Sequence, residues 1–212
     1  MRIVIPLFEE FTALDAVGPY EVLTKMPGAQ VLFAAAQAGP VRSDTGTLAI
    51  VADASLAEIE DADVLVVPGG PGTRRVVHDA AFLDWVRRIH PRTQWTTSVC
   101  TGSLVLGAAG LLKDLTATTH WACYDELAAH GAVPTAQRVV EHLDERLITS
   151  AGVSSGIDMA LRLVELLVDR TAGEAAQLMI EYDPQPPFDS GSLAKASAQV
   201  VARVGEYASF RS

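Results

Sequence analysis

The chain has 212 residues, 49% hydrophobic and 20% charged, which fits one globular domain with an appended arm and excludes a disordered or collagen-like chain. Sixteen basic against 26 acidic residues give a formal net charge of -10, which repels phosphate backbones and anionic lipid surfaces and argues against nucleic-acid or membrane partners. Two cysteines, Cys100 and Cys123, are too few for a secreted disulfide framework, the first residues lack the apolar core and cleavage site of a signal peptide, and no apolar run is long enough to span a bilayer; the expected compartment is the cytoplasm.

In chain order, residues 2–8 are the first of four short, apolar, β-branched segments that read as buried parallel strands; the others are 30–36, 64–67 and 95–99. Residues 12–26 read as a helix with Leu14, Val17, Val22 and Leu23 as its apolar positions, stopping before Pro27-Gly28. The stretch 42–51 contains Asp44-Thr45-Gly46, and 137–150 contains Asp144-Glu145; both read as small hairpins or extensions of the main sheet. Residues 80–90 place Phe82, Leu83, Val86 and Ile89 on one helical face. Further on, 121–129 is helix-like. Ser154 is positioned to cap a helix whose apolar stripe is Ile157, Leu161, Val164 and Leu167/Val168, and 171–182 reads as another helix. The prolines of 183–188 exclude a helix there, and 192–208 reads as a last one. Alternating strands and helices predict an α/β fold, a flavodoxin-like three-layer α/β/α sandwich with a mostly parallel central sheet. The domain is expected to span 1–190, with 191–212 as its C-terminal helical extension.

The chemistry concentrates at the strand 95–99, which runs straight into Cys100-Thr101-Gly102 and then a helical pattern. That is the layout of a nucleophile elbow. The turn calls for small neighbours, the backbone at Cys100 is expected outside the ordinary α and β regions, and the helix start behind it would favour a thiolate. The ordinary alternative is a buried structural cysteine; for Cys123, in a helix-like stretch with nothing around it to activate a thiol, that is the preferred reading. The strand 64–67 ends in Pro68-Gly69-Gly70, where backbone approaches a ligand closely. At the carboxyl end of a parallel sheet, the Gly69 or Gly70 amide would face Cys100 as an anion hole. Asp15 sits in an otherwise apolar stretch. Either it is a proton carrier with a raised pKa, or it is a first-turn carboxylate that favours the helix dipole. His120 pairs with the cysteine or is satisfied at a sheet edge. The other four histidines are assigned no role, and no His, Cys or carboxylate spacing resembles a metal site.

Asp15-x-x-Gly-Pro19, Pro68-Gly-Gly70, Ser98-Val-Cys100-Thr-Gly102 and Thr118-Thr-His120-Trp121 together resemble the ThiJ/PfpI superfamily of class I glutamine-amidotransferase-like proteins. Residues 97–112, 117–122 and 181–188 are more similar to its isonitrile-hydrating branch. The resemblance implies a homodimeric lyase that needs no cofactor or metal and converts a small-molecule isonitrile to an N-substituted formamide. It makes Cys100 the nucleophile, Asp15 the acid/base and Thr101 the polar neighbour of the thiol. Gly69, Gly70 and His120 are the expected substrate-binding residues. Peptidase-like relatives carry histidine where this chain has Thr101. A glyoxalase- or deglycase-type enzyme acting on reactive carbonyls, or a cysteine-based redox or ligand sensor, would use the same residues.

Overall fold

The computed structural model describes residues 1–209. They fall into two compact units that meet between Glu181 and Tyr182.

The larger unit is built on a seven-stranded sheet. Its strands are β1 (Arg2–Pro6), β2 (Gln30–Ala35), β5 (Ala54–Ser55), β6 (Val64–Val67), β7 (Trp95–Val99), β10 (Val139–His142) and β11 (Leu147–Ser150), in the order β10-β11-β7-β6-β1-β2-β5. All neighbours pair in parallel except β10 with β11. The central strands are covered on both faces, which is why β6 reads Val-Leu-Val-Val and is buried throughout. The four strands expected from apolar runs are all present, as is the three-layer sandwich.

One helical layer contains α1 (Ala13–Leu23), α6 (Ser155–Leu167) and α7 (Arg170–Met179), which pack on one another. The other contains α2 (Thr73–Val76), α3 (Ala80–Ile89), α4 (Gly102–Ala108) and α5 (Tyr124–Ala129). In α3 the expected stripe Phe82, Leu83, Val86 and Ile89 is buried, and Asp79 caps the helix by accepting from the Ala81 and Phe82 amides at 3.0 and 3.2 Å. The hairpin at 42–51 is β3 (Gly39–Arg42) with β4 (Ala49–Ala52), a separate two-stranded sheet; that at 137–150 extends the main sheet as β10 and β11. A short parallel pair, β8 (Thr116–Ala117) with β9 (Val133–Pro134), completes the unit.

Three local expectations change. In α1 the buried face is Asp15, Ala16, Gly18, Pro19, Val22 and Leu23, while Leu14 is 41% exposed. In α6 the buried residues are Ser155, Gly156, Met159, Ala160, Leu163 and Val164. Ile157 lies instead against Gly18 of α1, and the Leu161 carbonyl against Gly173 of α7. A helix packed against α1, α7 and the sheet does not display a single apolar stripe. Ser154 occupies the N-cap position without capping; its hydroxyl accepts from Arg138 at 3.3 Å.

In the smaller unit the residues around Asp183–Pro187 are non-helical, as the prolines require. The last helix, α8, is Ala198–Ser209 rather than starting at 192; turn structure and the Lys195–Asp189 ion pair at 2.6 Å occupy the residues before it. No helix among the described residues is long and apolar enough to cross a membrane.

Candidate active site

Strand β7 delivers Val99 to the carboxyl edge of the sheet and α4 starts at Gly102, leaving Cys100 to turn the chain. It does so at φ 56°, in the left-handed region, at a cost of about 1–2 kcal/mol for a residue with a Cβ. Hydrogen bonds at both its amide and its carbonyl hold it there. The Cys100 amide donates to the carbonyls of Ala151 and Ser150 at 2.8 and 3.1 Å. Its carbonyl accepts from the Ser103 and Thr119 hydroxyls, each at 3.1 Å. Gly102 is required by space: a Cβ there would lie 2.2 Å from the Val67 carbonyl oxygen.

The sulfur is buried, with Cys100 5% exposed. Burial pushes its thiol far above the ordinary cysteine range, and the neighbouring Asp15 charge adds to this. The Val153 and Thr101 N–H groups meet the sulfur and pull the other way, but less. The expectation of a resting thiolate over a helix start is therefore corrected. Desolvation works in favour of the thiol.

Asp15 comes from α1 on the opposite helical layer and is fully buried. Its Oδ2 accepts from the Gly69 amide at 2.9 Å. Oδ1 has no hydrogen-bond partner, and Cys100 is near enough to act on the carboxyl's ionisation. Burial is the main cause of a pKa raised to about 7, offset in part by the Gly69 and Cys100 hydrogen bonds and reinforced by Asp44. The plain first-turn carboxylate is thereby displaced by a buried acid in contact with a thiol. Thr101 lies beside them: its hydroxyl accepts from the Gly70 amide at 2.9 Å and is 3.2 Å from the Gly70 carbonyl, to which it donates.

Gly69 and Gly70 serve this arrangement differently from the expectation. Their amides are committed to Asp15 and Thr101, so they are not an open anion hole. A Cβ at 69 would lie 2.5 Å from the Thr101 amide nitrogen and 2.9 Å from Asp15 Oδ2. Gly70 adopts φ 133°, which side chains disfavour. The amides that reach the sulfur belong to Thr101 and Val153.

His120 is half-buried. Its Nδ1 accepts from the Ala122 amide at 3.3 Å, which leaves the proton on Nε2, and burial lowers its pKa, keeping it neutral. The ring lies against Gly152, the residue before Val153, and near Trp121 with centroids 5.4 Å apart. It thus walls the site and is bonded to Ala122 rather than to Cys100. Cys123 is buried and its thiol is pushed up to about 11, first by burial and then by Glu126, in keeping with the core reading. Among the described residues no group of three or more His, Cys, Asp or Glu side chains is placed to hold a metal.

Sequence reading missed Ser103, Thr119 and the Ala151–Gly152–Val153 turn. The only available signal for the turn was that β11, as a strand followed by a helix, had to end at the same sheet edge as β7.

A cysteine on a left-handed strand-to-helix turn, with a buried acid from the first helix, on a mostly parallel sheet defines the class, and residues 1–166 match the DJ-1/PfpI family; the chain belongs to that family. More particularly, it is 44% identical over 195 residues to the isonitrile hydratase of Pseudomonas putida, covering 92% of this chain and 84% of that one. It is 27% identical to a glutathione-independent glyoxalase of Caenorhabditis elegans, over 75% of this chain and 84% of that one. The crystal structure of a ThiJ/PfpI family protein from Pseudomonas syringae superposes with a TM-score of 0.91 at 44% identity, covering 99% of this chain and 87% of that one.

Proposed function

We propose that the protein is a cytoplasmic, homodimeric isonitrile hydratase whose nucleophile is Cys100 and whose acid/base is Asp15. The observation that carries the reading is the left-handed elbow at Cys100 with the fully buried Asp15 beside it, set beside the 44% identity to an isonitrile hydratase. The two free cysteines fit a reducing compartment.

The two side chains act as one titrating unit. With one proton between them, Asp15 takes the thiol proton and passes it to the terminal carbon of R–N≡C as the sulfur adds to that carbon. The product is a thioimidate, R–N=CH–S–Cys100. Water, oriented by Asp15 or Thr101, adds to the carbon while nitrogen takes a proton. The C–S bond then breaks, releasing R–NH–CHO and returning the thiol. The Thr101 and Val153 N–H groups steady the negative sulfur before addition and after release. The neutral His120 ring forms part of the substrate's wall.

The pH dependence follows with a definite sign. Below about 7 Asp15 is protonated, the pair holds two protons, and no base remains to take the thiol's. Formamide production from cyclohexyl isocyanide is therefore expected to rise with pH through about 7 and then level off. A rate that falls on crossing that pH contradicts the shared-proton mechanism. Lactate from methylglyoxal, with no formamide from the isonitrile, would place the protein with the carbonyl-acting enzymes instead.

A further inference from the structure

Cys100 turns the chain at φ 56°, a backbone state that persists only where the surroundings dictate it. Its amide is held from outside its own strand, by the carbonyls of Ser150 and Ala151 at 3.1 and 2.8 Å. Ser150 ends β11 and is fixed by the sheet. Ala151 opens the turn that leads into α6, and there Arg138, just ahead of β10, supplies the hold. The Arg138 carbonyl accepts from the Ala151 amide at 2.9 Å, one step beyond the β10–β11 ladder. Its side chain crosses the turn: Nη2 donates to Ser154 Oγ at 3.3 Å, and Nε pairs with the Asp158 carboxylate in the first turn of α6. Both ends of the turn are thus tied to one residue. The start of α6 also bears on the strand before the elbow, since a Cβ at Gly156 would lie 2.9 Å from Val99 Cγ2.

We propose that Arg138 is a positioning residue for Cys100: by clamping both ends of the 151–154 turn it keeps the Ala151 carbonyl on the Cys100 amide and the elbow in its left-handed state. This rests on the reading of Cys100 as the nucleophile. The Arg138 and Asp158 side chains are 48% and 31% exposed, and an ion pair so open to water adds little to overall stability. Its effect is local, on the turn it spans. Arg162 supplies the contrast. It joins the same two elements, α6 to β10, through both carboxylate oxygens of Glu141 at 2.9 and 3.1 Å, but about one helical turn further along α6, where it does not touch the 151–154 turn.

The test is hydrogen exchange of individual backbone amides, read together with kcat and KM for cyclohexyl isocyanide, in the native protein, Arg138→Met, Asp158→Ala and Arg162→Met. Arg138→Met keeps the apolar stem and removes the guanidinium. It is expected to speed exchange of the Cys100 amide by roughly tenfold, the worth of one charge-assisted hydrogen bond, while the amides of β1 stay within about twofold of native because the opening is local. Its kcat is expected to fall by about the same tenfold at an unchanged KM, since the pocket is kept and the placement of the reacting sulfur is not. Asp158→Ala removes the other half of the clamp, is expected to act in the same direction, and supplies the answer if Arg138→Met does not fold. Arg162→Met is expected to leave the Cys100 amide and kcat as in the native protein. Native exchange of the Cys100 amide in the folded Arg138→Met or Asp158→Ala protein overturns the proposal, as does an equal change in Arg162→Met or a native kcat beside raised exchange. Exchange needs no isonitrile, so the expected exchange pattern in a protein that makes no formamide would uphold the clamp and reject only the substrate.

Discussion

Replacing Asp15 by Asn is expected to cost about 10²–10⁴ in turnover and at the same time to make the protein more stable at alkaline pH. The activity loss follows from removing the buried carboxyl whose charge acts on the Cys100 thiol; an amide of the same shape cannot accept and return its proton. The stability gain follows from linkage. An unfolded Asp15 ionises near 3.8, whereas the folded one is held to about 7 by burial. Between those values the folded protein binds the extra proton, so stability falls as pH rises through that window and the full penalty stands above about 7. Its upper size is about 4 kcal/mol, from the conversion of pKa shift to free energy. A neutral Asn escapes the penalty. Its melting temperature is expected to exceed the native one at alkaline pH, and the difference is expected to vanish toward pH 4. Native-like turnover in Asp15→Asn, or a melting temperature lowered at every pH, would contradict the assignment of Asp15 as a strained, functional acid.

The second large effect is on folding. A methyl group added at Gly102 would lie 2.2 Å from the Val67 carbonyl oxygen and 2.9 Å from that of Pro68. Both are backbone atoms at the end of a central strand, so no side chain can swing aside. Gly102→Ala is expected to lose about 3 kcal/mol or more in denaturant titration, and whatever protein folds should have its elbow displaced and its turnover lost. Gly191→Ala is the matching control, because nothing stands within 4 Å of its Cβ position; its midpoint should be unchanged. Equal stability of the two variants would show that the close approach of β6 and the elbow is not as described.

Local pattern made the sheet and the elbow legible. The apolar runs of β1, β2, β6 and β7 announce strands covered on both faces, and a strand that stops at Cys100 and resumes as a helix after Gly102 leaves one residue to turn the chain. What stayed hidden depends on contacts between distant residues. Leu14 and Val17 looked like the buried positions of α1, but Asp15 is the one that faces inward, because Gly18, Pro19 and Val22 set the packed face. Nothing in Pro68-Gly-Gly70 reveals that its amides are taken by Asp15 and Thr101. Nor does it reveal that the sulfur's donors come from Thr101 and from a turn some 50 residues beyond the cysteine. The forces on the thiol were hidden for a similar reason. A helix start is visible in sequence, whereas the depth of burial that opposes it emerges only when both helical layers close over the sheet.

The most direct measurement is formamide production from cyclohexyl isocyanide by the native protein and by Cys100→Ala, with both shown to be folded. The native protein is expected to form N-cyclohexylformamide with one water consumed per isonitrile, and the variant to form none above the uncatalysed rate, since neither the thiol proton nor the thioimidate is then available. Formamide produced by Cys100→Ala at a near-native rate would contradict the central role of the cysteine.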